Sequence, residues 1–153
     1  MTAAEQLTPE MLPTDVPLEA ASRLAWHTLT GETVASSGGV LPTRRLLRSS
    51  ISVGRARVST VFPDAVVNRI AVDLLNINTD APILHSMTLD FVGEFANLVG
   101  GIIGDELAER GFDAPLSIPS SSLFSGKLQI IDVRLMLRFH SPKFGPFWVS
   151  LED

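Results

Sequence analysis

With 153 residues, 45% of them hydrophobic, the chain has the size of one domain and enough apolar material to bury a real core. Its net charge of −5 makes nucleic acid and anionic membrane surfaces poor partners. The absence of cysteine excludes a disulfide framework, thiolate metal sites and a Cys nucleophile, and no apolar run approaches the ~20 residues that cross a bilayer.

In chain order, residues 1–15 are polar, hold Pro9 and Pro13, and read as a loose arm. They carry neither a basic n-region nor an apolar h-region, so no secretory signal is expected, and residues 16–153 read as a soluble cytoplasmic domain. Residues 17–30 place Leu18, Ala21, Leu24, Ala25 and Leu29 at helical spacing, with Asp15 or Pro17 able to open the helix. "ASSGGVLPTRR", 35–45, is loop by composition. Residues 50–62 are rich in β-branched side chains, with Arg55 and Arg57 on one face, and read as one or two strands. Residues 63–76 start at Pro63, repeat apolar side chains at 3.6 spacing and predict a second helix. After a connection over 77–82, residues 89–112 predict the third and longest helix. Pro115 and Pro119 keep 114–126 extended. Residues 127–140 alternate Val133, Leu135, Leu137 and Phe139 with Arg134 and Arg138, the period of a strand, and 146–152 add a short final strand. This mixed order predicts an α/β domain of the layered α+β kind, with long helices packed on a largely antiparallel sheet.

The third helix is unusual. On a wheel, Phe91, Val92, Phe95, Ala96, Leu98, Val99, Ile102 and Ile103 occupy one half, which must be buried. The other half carries Asp90, Glu94, Asn97 and Gly101, edged by Gly93, Gly100 and Gly104. These glycines and the asparagine forfeit on the order of 4 kcal/mol of helix propensity. A strip without side chains makes sense where a second backbone comes close, either inside the domain or on a partner. Glu94 and Asn97, spaced i, i+3, project from one turn. A carboxylate there can pair with a cation, and a carboxamide can hold a water molecule. Neither is a nucleophile, and an exposed carboxylate is a weak general base, so the pair is suited to docking and orienting. Gly111 is placed to end the helix in a left-handed conformation, with Phe112 folding back toward Leu107.

"D90-F-V-G-E94-F-A-N97", followed by Gly100, Gly101 and Pro119, resembles the signature of the CheX/CheC chemotaxis phosphatases. That signature is an acidic or Ser residue, three positions, Glu, two positions, Asn, and a Pro a little over twenty residues on. The surrounding order of elements also fits, from about residue 17 to 151. A single signature resembles CheX more than CheC, because the helix at 63–76 has Ala65 where a second copy needs Glu. The resemblance implies hydrolysis of the aspartyl phosphate of a CheY-like receiver domain. It implies that Glu94 forms a salt bridge to the receiver's active-site Lys and that Asn97 holds a water in line with phosphorus. It implies no cofactor in this chain, since the Mg²⁺ belongs to the receiver. Asp90, Gly93, Gly100, Gly101 and Gly104 would meet the receiver's loops. Such proteins can dimerise by exchanging edge-strand elements, so a homodimer is also an expectation. Two alternatives stay open: a non-catalytic module that docks a receiver through the same helix, and a dimerisation domain.

Arg44, Arg45 and Arg48 fall outside the family pattern and read as a solvated loop or edge strand, with a contact to an acidic receiver surface as the alternative. His27, His85 and His140 lack any metal-ligand spacing, and His27 reads as a packing residue. The Ser-rich stretch before Gly126 has no nucleophile elbow, and no complete P-loop pattern occurs.

Overall fold

The computed structural model describes residues 16–38, 41, 45–124 and 133–153. The expected arm, Arg44 and the 127–132 part of an expected strand lie outside them. Helix α1 is Leu18–Thr30. Leu18, Ala21, Ser22, Ala25 and Trp26 are its buried side chains and form one stripe at three- and four-residue spacing. Leu24, expected on that stripe, is 54% exposed, and His27, expected to pack, is exposed as well. Trp26 fills the interior in their place. Gly31 closes the helix at φ 79°, and its N–H donates to the His27 carbonyl at 2.8 Å.

Strands β1 (Ser36–Ser37), β2 (Leu46–Val53) and β3 (Ala56–Pro63) follow. Of the one or two strands expected over 50–62 the structure has two, joined by a turn at Gly54 and Arg55, with Gly54 at φ 63° and Val53 paired to Ala56, so Arg55 is a turn residue and does not share a strand face with Arg57. Arg48 is not in a loop or an edge strand, because β2 lies between β3 and β4.

Helix α2 (Asp64–Arg69) starts directly after Pro63 and widens into a π turn over Ile70–Leu74. The Leu75 N–H reaches back five residues to the Ile70 carbonyl at 3.1 Å. The single helix expected over 63–76 is therefore a short α-helix with a π extension. A 3₁₀ turn, Pro82–Leu84, leads into α3, Ser86–Glu109. That helix begins before Leu89 because His85 caps it, its Nδ1 accepting the Met87 N–H at 3.1 Å. It ends as its sequence predicts. Gly111 takes φ 86°, its N–H donates to the Ala108 carbonyl at 3.1 Å, and the Phe112 N–H donates to the Leu107 carbonyl at 2.8 Å.

Strands β4 (Ser120–Phe124), β5 (Val133–Ser141) and β6 (Gly145–Glu152) complete one sheet, in the order β1-β5-β6-β3-β2-β4. Every pairing is antiparallel. Helices α1 and α3 pack together over one face of this sheet, as the layered α+β expectation requires. Trp26 sits at the centre of that layer, with ring centroids 4.4 Å from Phe147 and 5.5 Å from Phe95. Its indole N–H donates to Glu32 at 3.0 Å, so the polar edge of the ring is satisfied inside the core. The opposite face of the sheet buries Leu46, Val61 and Trp148, next to an ion pair between Arg48 and Glu152 at 2.8 Å. Among the described residues no helix is long and apolar enough to cross a membrane.

Candidate functional site

Helix α3 rests on the sheet through Phe91, Val92, Phe95, Ala96, Val99 and Ile103, all buried. That stripe fixes the rotation of the helix and so decides which residues face out. Asp90, Glu94 and Asn97, spaced by four and three, are all exposed on the far side. Among the described residues neither the Glu94 nor the Asn97 side chain has a hydrogen bond or ion pair within the domain.

They line an open groove of about 460 Å³ together with Leu89, Asp90, Gly93, Pro119 and Ser121. The facing wall comes from the far end of the sheet. Strand β4 pairs with β2, Ser121 lies opposite Ser49, and the two hydroxyls bond at 3.3 Å. Pro119, just before β4, stands over Gly93, where an added Cβ would come 4.0 Å from the proline's Cβ. A side chain at position 93 would thus occupy the groove between helix and wall.

The glycine strip does not form one outward surface, which corrects the expectation for two of its members. Gly100 is buried, and an added Cβ would come 2.9 Å from Ile51 Cγ2. It lets the helix approach its own sheet and is out of reach of a partner. Gly104 faces the loop after the helix, where an added Cβ would lie 3.6 Å from Leu116 Cδ2. Gly101 has nothing within 4 Å and stays open, in line with Asn97 and Glu94. Leu89 and Ser121 were not singled out by the sequence. Leu89 reads as an ordinary apolar residue at the head of a helix. Ser121 reaches the groove only because β4 pairs with β2, a long-range event without a local signal. Among the described residues no three metal-ligating side chains converge.

A six-stranded antiparallel sheet that presents a long helix with a free carboxylate and carboxamide above its edge strand defines a class of layered α+β domains. Solved structures similar to this chain include CheX and CheC-like chemotaxis proteins. CheX from Vibrio vulnificus is 18% identical, covers 90% of this chain and 97% of its own, and superposes with a TM-score of 0.66. CheX from Desulfovibrio desulfuricans is also 18% identical, with 92% and 98% covered and a TM-score of 0.63. The CheX–CheY–BeF3–Mg²⁺ complex from Borrelia burgdorferi matches at 14% identity, 92% and 100% coverage and a TM-score of 0.62. At these identities the likeness establishes the fold, which is that of the CheX/CheC-like proteins. No protein-family model matches the sequence, and no curated protein matches it.

Proposed function

We propose that this chain is a phosphatase that accelerates hydrolysis of the aspartyl phosphate of a CheY-like response regulator. The observation that carries this reading is that Glu94 and Asn97 stand exposed, one turn apart, in one groove and without a partner inside the domain. Solvation alone accounts for a polar helix face but not for the asparagine's cost in helix propensity beside an open groove walled by Pro119. Docking a second protein accounts for it. The Borrelia structure holds a CheX bound to a CheY, which supports a partner of the same kind here.

In this reading the Glu94 carboxylate pairs with a cationic side chain of the receiver and sets its position on the helix. The Asn97 carboxamide oxygen accepts a hydrogen from water and points the water's lone pair at phosphorus. The water oxygen bonds to phosphorus, the bond from phosphorus to the acyl oxygen breaks, and the receiver's aspartate leaves as a carboxylate. Orthophosphate carries away the oxygen and protons of the water. Such catalysis is orientational and needs no strong base from this chain. The receiver brings its own Mg²⁺, and Asp90, Gly93 and Gly101 form the rim it meets.

The test is to charge a cognate receiver with a small phosphodonor and follow phosphate loss. The wild-type chain accelerates the decay. Asn97→Ala removes at least ~100-fold of that acceleration at saturation and still binds, since a lost orienting contact costs on the order of 100-fold. Glu94→Ala weakens binding and rate together. An unchanged decay rate at saturating concentration overturns the proposal, and binding without acceleration would favour the docking-module alternative.

A further inference from the structure

We propose that Ile118 is a fixed apolar anchor that seats the receiver against the groove and sets affinity rather than the rate of the chemical step. This rests on reading the groove as the receiver's docking site. Ile118 is 89% exposed. Scattered exposed apolar residues are ordinary, but loop residues of this kind are usually free to fold back against the protein. Here the chain on both sides is pinned. The Gly54 N–H donates to the Pro115 carbonyl at 2.9 Å, and Leu116 forms a bridge with Val53. The Ser117 N–H donates to the Ser52 carbonyl at 3.1 Å, and the Ser52 N–H donates to Ser117 Oγ at 2.8 Å. On the other side, Pro119 fixes its own φ and Ser120 is already paired with Ser50 in β4. The side chain of Ile118 is therefore held outward by a backbone with little freedom left.

The next residue after Ile118, Pro119, lines the groove with Glu94 and Asn97. At the head of α3, Met87 is 50% exposed and shares the stripe of Asp90 and Glu94 at three- and four-residue spacing. Met87 thus precedes Glu94 by seven residues on the helix, and Ile118 precedes the groove-lining Pro119 on the pinned loop, so each wall of the groove carries an exposed apolar side chain next to it in sequence. A centre that reads charge and hydrogen bonds, flanked by preorganised apolar side chains, is the anatomy of an interface in which little entropy is lost on binding. The matching partner presents a cation for Glu94 and, beside it, an apolar surface for Ile118.

Phosphate loss from a charged receiver is followed against increasing concentration of this chain. Ile118→Ser raises the half-saturating concentration about tenfold, a change of about 1.4 kcal/mol. The rate at saturation stays within about twofold and the melting temperature does not move, because the side chain makes no interior packing. Ile118→Val keeps most of the apolar surface and shifts half-saturation by less than about threefold. If the receiver binds without acceleration, dissociation constants are compared with the same expected ratio. An unchanged half-saturation point in Ile118→Ser, beside an active or binding wild type, overturns the anchor and leaves the proposed function standing. A fall in the saturated rate alone also overturns it, since Ile118 would then act in the chemistry. A wild type that neither binds nor accelerates sinks the proposed function itself.

Discussion

A carboxylate and a carboxamide one helical turn apart have easy internal solutions, such as a bond to each other or to a nearby cation. Glu94 and Asn97 adopt none of them among the described residues, and the groove between α3 and Pro119 stays open to them. A free carboxylate that docks on a cation has a consequence that can be measured with salt. Between about 0.1 M and about 1 M, the screening length falls from about 10 Å to about 3 Å. Association of the wild type with the receiver should slow steeply over that range, since steering between unlike charges raises on-rates mostly at low salt. Glu94→Gln keeps the shape and loses the charge, so its association rate should start lower at low salt and fall much less. Stopped-flow measurement at several salt concentrations checks this, and equal slopes for the two proteins would remove Glu94 from the docking contact. The pair was legible in the sequence because both residues sit on one turn and match a short signature. Ser121 was not, because its place depends on which strand lies beside which.

At the scale of one element, α3 shows what a wheel can and cannot decide. Its glycine ending and most of its buried stripe follow from local spacing, but Leu98 and Ile102, expected to be buried, are only partly so, and the helix starts at Ser86 rather than Leu89. The wheel puts Gly100 at the edge of the outer half, but the edge of a helix on a twisted sheet is decided by the tilt of the packing. Ile51 and Val53 rise against Gly100 and bury it. The same limit left open whether the β-branched run at 50–62 holds one strand or two, which the turn at Gly54 decides, and hid the π turn inside an apolar repeat that fits either helix. Gly100 and its neighbour now predict opposite outcomes from one chemical change. Gly100→Ala gains about 1 kcal/mol of helix propensity. It also forces a Cβ to within 2.9 Å of a branched, fully buried side chain. Overpacking of that kind costs roughly 1–3 kcal/mol, so the variant should be less stable than wild type. Gly101→Ala meets nothing within 4 Å and should be more stable by roughly 0.5–1 kcal/mol. Urea denaturation of both variants checks the pair. A stabilised Gly100→Ala would mean that the helix can lift from the sheet, and the groove geometry would have to be redrawn.

Across the whole molecule, the groove is only as firm as the sheet that holds its wall, and that sheet is fastened from behind. Arg48 of β2, Ser59 of β3 and Glu152 of β6 meet on the face away from the helices. The Arg48 guanidinium bonds Glu152 at 2.8 Å, and the Ser59 hydroxyl donates to the same carboxylate at 2.6 Å. The side chains of the two charged partners are 14% and 8% exposed, so each charge relies on the other for the water it has lost. Glu152→Ala leaves the guanidinium nearly buried without its counter-charge, and removing one partner of a buried pair costs about 3–5 kcal/mol. For a domain of this size that lowers the melting temperature by roughly 10 °C, taking about 2–4 °C per kcal/mol. Replacing both partners, Arg48→Met with Glu152→Leu, removes the stranded charge and should recover at least half of the loss. The network lies across the sheet from Glu94, so phosphate loss from a charged receiver, measured well below the melting point, should be unaffected in both variants. Calorimetry decides the matter. A single-variant loss below about 1 kcal/mol would place the pair in the class of solvated surface bridges, and the rigidity of the β2–β3–β6 strands would then have to come from the apolar layer alone.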